Sequence, residues 1–214
     1  MKGEWAIFAS AGLFAVAVGI FLATGASGAS VAILGLLGLG AYAALGLAMR
    51  RPADEAWLHR WVALGFAAKI GGTLARYWIL QVIYDGTGDS VRYYRVGQQL
   101  AIIWESGSVP ELTGNGGFGT QVTEAVTGAL FAVFTPDQLG GFVMFAIIAY
   151  AGQLGLYAAY RRWAPAHALK PYAFAILFLP TYAFWPSSIG KDALILFGLG
   201  LAAYCAARAL EGYE

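Results

Sequence analysis

The chain has 214 residues, is 59% hydrophobic and only 12% charged, and carries a formal net charge of +1. With a mean hydropathy of +0.64, that balance excludes an ordinary soluble domain, and several apolar runs approach or exceed the roughly 20 residues that cross a bilayer. One cysteine, Cys205, allows no internal disulfide, and the two histidines, His59 and His167, lie far apart in polar connectors. Without a Cys/His cluster or a basic patch interleaved with aromatics, the sequence predicts an integral membrane protein with no nucleic-acid partner. Its 29 glycines suit helices packed closely in lipid.

In chain order, Trp5–Ala23 is the first apolar run, longer than a signal-peptide core and read as a retained span. Val31–Met49 is the second, ending at Arg50-Arg51-Pro52, which with Arg60 marks the cytoplasmic side. Asp54–Arg60 is expected at the inner interface, and a third span runs from Trp61 to Tyr84. Lys69 and Arg76 fall inside this span, on one face with Gly72 and Thr73. Cations there either snorkel to the two interfaces or mark a functional stripe suited to a lipid phosphate.

The third span delivers the chain outward to Tyr84–Trp104, YDGTGDSVRYYRVGQQLAIIW. Asp85 and Asp89 bracket a Gly-Thr-Gly turn, and from Ser90 onward Asp89, Tyr93, Gly97, Leu100 and Trp104 stack on one helical face. A polar, Gly-rich loop (Glu105–Gly119) follows. Thr120–Phe134, with a polar stripe of Thr120, Thr123, Glu124 and Thr127, is too short for a span and predicts an interfacial or re-entrant helix. Gly140–Tyr160 then returns inward to Arg161-Arg162, and Tyr172–Trp185 goes out with a kink at Pro180. Ala193–Ala207 comes back to Arg208. The prediction is an all-α, polytopic transmembrane bundle of about six spans, with both termini inside. It divides into a two-span hairpin and connector over residues 1–60 and a core over 61–214, with its outer loop at 85–138.

Three constellations can carry chemistry. In the first, Asp85 or Asp89, beside Tyr93 and Tyr94, can act as general base on an acceptor hydroxyl, or the two acids can hold a divalent cation; the bland alternative is a helix cap and an Asp-Gly turn. In the second, SSIGKD, Ser188 is a natural cap for a helix starting near Gly190, and Lys191 at that helix start can form an anion site; the alternative is an ordinary interfacial cap. The third is Arg92 with Arg95, which can pair with the acids or grip a phosphate, Arg92 reaching back to Asp89 as a salt bridge. Glu124 is a reserve carboxylate on a helix that can fold over the site.

An outer-side acid at the end of a span, a long outer loop with interfacial helices and further spans behind it resemble the GT-C superfamily of membrane glycosyltransferases. The stretch YDGTGD…YY resembles that family's acidic motif, and FLPTYAFWPSSIGKDALILFGLGLAAY (residues 178–204) resembles a segment of uncharacterised bacterial polysaccharide-assembly membrane proteins. The likeness covers residues 61–210 and implies a GT-C-like core in the bacterial inner membrane. Its implied activity is transfer of a sugar from a polyprenyl-phosphate donor to an envelope polysaccharide or glycolipid acceptor on the extracytoplasmic face, with no cofactor required beyond an optional divalent cation. Asp89, and after it Asp85, is the base carried over from the motif. By physical argument alone, Lys191 and Arg76 are the phosphate partners, with Lys69, Arg92, Arg95, Tyr93, Tyr94, Glu124 and Ser188 as further substrate contacts. Two spans precede the acidic loop where the family has one, and the family usually has more than six. The chain is therefore expected to be an N-terminal portion of a longer protein or to work with a partner subunit. The competing expectations are a polymerase or ligase of lipid-linked oligosaccharides, and a non-catalytic subunit or lipid transporter.

Overall fold

The computed structural model describes residues 56–108, 117–134 and 137–211. The expected spans Trp5–Ala23 and Val31–Met49 lie outside them. The described residues are helical, with no strand among them: α1 (Ala56–Val82), α2 (Asp89–Glu105), α3 (Phe118–Phe134), α4 (Gln138–Trp163), α5 (Ala166–Phe178), α6 (Pro180–Ala183) and α7 (Lys191–Glu211).

Each boundary has a local cause. α1 runs 27 residues, about 40 Å at 1.5 Å per residue. The segment expected to lie along the interface is continuous with it from Ala56 onward. It ends where Asp85 takes a left-handed φ of 47° and the Gly86 N–H returns to the Leu80 carbonyl at 2.9 Å, a turn that asparagine and aspartate tolerate better than other side chains. Asp137 caps α4, accepting from the Gly140 N–H at 2.7 Å, and Pro165 follows the other end of that helix. Pro180 has no N–H and holds Leu179 extended, at φ −60° and ψ 135°. The helix therefore stops there and restarts as the short α6. The expected span Tyr172–Trp185 is thus two pieces with a break, rather than one kinked rod.

Contacts fix the directions. Tyr150 Oη donates to the Val62 carbonyl at 2.5 Å, Tyr77 packs edge-on against Phe142, and Gln81 bonds to Gln138 at 3.0 Å. As the numbers rise on α1 they fall on α4, so the two are antiparallel. Gly141 meets Ile189, Gly152 meets Leu196 and Arg162 pairs with Glu211, so α4 and α7 run parallel. Gln153 donates to the Ile176 carbonyl and Tyr160 stacks on Tyr172, so α5 runs back against α4. One end of the bundle thus collects Arg60, Arg161, Arg162, Lys170 and Arg208, and the other collects α2, α3 and the start of α7.

Two described helices, α4 and α7, are long and apolar enough to cross a membrane. They differ in surroundings: 67% of the apolar window of α4 is buried, against 22% for α7. α4 is therefore the internal helix. Phe142, Phe145, Ala149 and Tyr150 on it form the meeting point of the two larger apolar clusters. α7 leaves Ile195, Leu199, Leu201 and Leu210 exposed, an apolar surface that water penalises and lipid does not. The parallel pair touches at backbone level, since Gly152, Gly155 and Gly200 bring main-chain atoms into direct contact.

Candidate functional site

The polar groups of α1 and the break before α7 form one seam. Lys69, 1% exposed, donates through Nζ to the Tyr182 carbonyl at 2.7 Å. That carbonyl belongs to α6, a helix too short to use it, so the buried ammonium satisfies main chain freed by the Pro180 break. One turn on, Gly72 lies so close to Ala183 that a Cβ would sit 2.1 Å from its carbonyl oxygen. A further turn on, Arg76 donates through Nε to Ser188 Oγ at 2.7 Å. Its guanidinium also lies over Phe184 and Trp185, at 5.4 and 4.9 Å from the ring centroids. Lys69, Gly72 and Arg76 recur at helical spacing, so one face of α1 is moulded to residues 182–188.

Ser188, expected to cap the next helix, is buried and receives Arg76. Ser187, also buried, donates to the Ala183 carbonyl and ties the loop to α6. The chain then enters α7 with Lys191 and Asp192 in its exposed first turn. Asp192 acts electrostatically on Arg76. The aliphatic stem of Lys191 passes the first turn of α3, where a Cβ on Gly119 would meet its Cδ at 3.8 Å. Two helix starts, one lysine and one arginine therefore lie around the same loop. Free N–H groups at helix starts favour anions, as do the two cations.

Asp85 and Asp89 form no hydrogen bond or ion pair with this seam. Asp89 is the first residue of α2 after the Gly88 cap, and Asp85 is the left-handed residue in the turn closing α1. Both are exposed, and neither has a hydrogen-bond or ion-pair partner among the described residues. Asp89 favours the positive start of its helix. Arg92 does not reach back to it: Nε pairs with Glu124 Oε1 on α3 at 3.1 Å. The physical reason is burial. Glu124 is 4% exposed, and a desolvated carboxylate draws a cation more strongly than one in solvent.

The other sequence candidates serve packing. Tyr93, Gly97 and Leu100, on the face read from the helical spacing, are buried, as are Val91 and Ala101 of the same helix. Gly97 abuts Thr127 of α3, and Leu100 abuts Gly128. Tyr94 packs edge-on against Phe131 and accepts from Gln98 at 2.8 Å. Burial, then the nearby Asp137 charge and Tyr77, pushes its hydroxyl above the ordinary tyrosine range. Arg95 is exposed. The α3 stripe is turned inward as well: Thr120, Thr123, Glu124 and Thr127 are all buried, with Thr123 and Thr127 bonded to their own helix backbone.

Phe184, Trp185 and the Tyr182 carbonyl join the seam without a sequence signal beyond an aromatic pair beside a proline. Among the described residues, no group of three or more His, Cys, Asp or Glu side chains could hold a metal ion. Comparison with protein-family models, curated proteins and solved structures gives no match.

Proposed function

We propose that this chain is a polytopic membrane glycosyltransferase of the bacterial inner membrane. It moves a sugar from a polyprenyl-phosphate donor to an envelope glycan or glycolipid acceptor on the extracytoplasmic face. In this reading α1, α4, the broken α5–α6 pair and α7 are spans, joined by Trp5–Ala23 and Val31–Met49. The basic end of the bundle faces the cytoplasm. Irregular backbone at membrane depth persists only where protein satisfies it or a cavity adjoins it. Lys69 and Ser187 supply that satisfaction at the α5–α6 break.

The observation that carries the reading is the Arg76–Ser188 bond across 112 residues of sequence, beside Lys191. It sets an arginine, a hydroxyl and a helix start at the end of the bundle away from the basic cluster, which in this reading faces outward and receives the donor phosphate. Arg76 and Lys191 offset charge on the departing phosphate, and the exposed Asp89 carboxylate takes the proton of the acceptor hydroxyl. Protein reconstituted in vesicles with a labelled polyprenyl-phosphate sugar tests this. Asp89→Asn is expected to lose transfer while keeping donor binding, and Arg76→Gln to lose both. Full transfer by Asp89→Asn overturns the assignment of the base.

A second reading is favoured by one observation: among the described residues, the fold engages Lys69, Arg76 and Arg92 and leaves Asp85 and Asp89 free. A polymerase or ligase of lipid-linked oligosaccharides would lean on Arg76 and Lys191 and retain most activity in Asp89→Asn. The same assay separates the two.

A further inference from the structure

A groove of about 540 Å³ opens at the basic end, between α4, α5 and α7. It is about 28 Å along α4 from the Ile189–Gly141 contact, at 1.5 Å per residue, and takes in no residue of the seam. Its lining is apolar and aromatic, with Tyr160, Trp163 and Tyr172 on one side and Ala203, Ala207 and Leu210 on the other. It exists because α4 and α7 touch at Gly152, Gly155 and Gly200 and carry alanines beyond that contact, while the stacked Tyr160–Tyr172 pair props α5 away. Its volume falls within the range of small-molecule sites, about 300–1,000 Å³.

A charged cluster adjoins the lining along the chain, Arg162 beside Trp163, Arg208 beside Ala207 and Glu211 beside Leu210. Arg162 pairs with Glu211 and lies 5.3 Å from the Tyr204 ring, and Arg208 approaches the same carboxylate at 3.9 Å. Among the described residues, two arginines around one glutamate leave a single positive charge. The buried Nε–H of Arg162 has no acceptor among the described residues, while the Arg208 side chain is 61% exposed. An apolar slot beside one uncompensated, exposed cation complements a long hydrocarbon chain ending in a singly charged phosphodiester.

We propose that this groove is a binding site for an anionic phospholipid, one acyl chain lying against Trp163 and Ala207 and the phosphate received by Arg162 and Arg208. The site is independent of the glycosyl-transfer reading, requiring only that the basic end of the bundle meet a membrane surface.

Trp163 makes the test optical. The protein is reconstituted in phosphatidylcholine vesicles containing increasing fractions of brominated phosphatidylglycerol or, separately, brominated phosphatidylcholine. The Trp163 signal is taken as the difference between the parent and Trp163→Phe. Brominated phosphatidylglycerol is expected to quench it at a severalfold lower mole fraction than brominated phosphatidylcholine. Arg208→Gln, at an exposed position the fold does not need, should raise the phosphatidylglycerol midpoint by roughly fivefold, the worth of one basic residue at a lipid surface. Ala207→Phe, filling the slot, should abolish the preference. Equal quenching by the two lipids would mean ordinary boundary lipid and overturn the proposal. Absence of quenching by either would mean that protein covers the groove, with the same consequence.

Discussion

Alanine at Gly200 would place its Cβ 2.0 Å from the Gly152 carbonyl oxygen and 2.6 Å from the Gly152 Cα. Ordinary contact begins near 3.4 Å, so α4 and α7 would have to separate by more than 1 Å along the segment where they touch. The obstructing atoms are backbone, which has no rotamer to yield. The cost therefore belongs at the upper end of overpacking penalties, about 3 kcal/mol, or on the order of 100-fold in the folded-to-unfolded ratio. Gly198, two residues away on the same helix, has nothing within 4 Å of its Cβ position. Gly198→Ala should be neutral or, from helix propensity, stabilising by up to about 1 kcal/mol. Unfolding of both variants in mixed micelles, titrated with a denaturing detergent and followed by helicity, gives the comparison directly. If Gly200→Ala unfolds at the same midpoint as Gly198→Ala, the two helices do not meet at these glycines and the described register is wrong.

Three further outcomes follow from the same contacts, each read by the same unfolding midpoint. The Arg92–Glu124 pair is asymmetric, because Arg92 is half-exposed and Glu124 is not. Arg92→Met should cost about 1–3 kcal/mol by stranding a buried carboxylate, whereas Glu124→Gln should stay within about 1 kcal/mol. Lys69→Met keeps the stem but strands the Tyr182 carbonyl, for about 1–3 kcal/mol, and Lys69→Ala, which also opens a cavity, should cost more. Asp137→Ala removes the acceptor for the Gly140 N–H and should destabilise by about 1 kcal/mol; an unchanged midpoint would show that the α4 cap contributes nothing.

What the sequence made legible was whatever depends on neighbours along the chain. Gly140–Tyr160 and Ala193–Ala207 fall inside α4 and α7, and Thr120–Phe134 inside α3, because apolar runs bounded by Asp137, Pro165 and Arg208 carry their own limits. Pro180 was legible as a disturbance but not as a full break. That outcome depends on Lys69, more than a hundred residues away, satisfying the carbonyl the break releases. The face shared by Tyr93, Gly97 and Leu100 was likewise visible as periodicity. Its use as the α2–α3 packing surface was not, since periodicity identifies a face without naming what covers it.

The candidate residues divide along the same line. Arg76 stands out as a cation inside an apolar run and Lys191 as one at a helix start in a polar break, and the fold brings Arg76 onto Ser188 at the loop leading into Lys191. Arg92 and Asp89 are a turn apart in sequence, yet electrostatics follows desolvation more than sequence distance, and the buried Glu124 wins. Glycine shows the limit most plainly. A high glycine content predicts close helices, but Gly200 sits against backbone and Gly198 on open surface. The difference is about half a helical turn of rotation, which appears only when the partner helix is in place. The basic-end groove has the same origin, since alanines such as Ala203 and Ala207 line a cavity only where α4, α5 and α7 diverge past the α4–α7 glycine contact. A cavity made by such divergence leaves no local signal, and for that reason the groove must be sought in the packing, whereas the Arg76–Ser188 seam can be approached from the sequence.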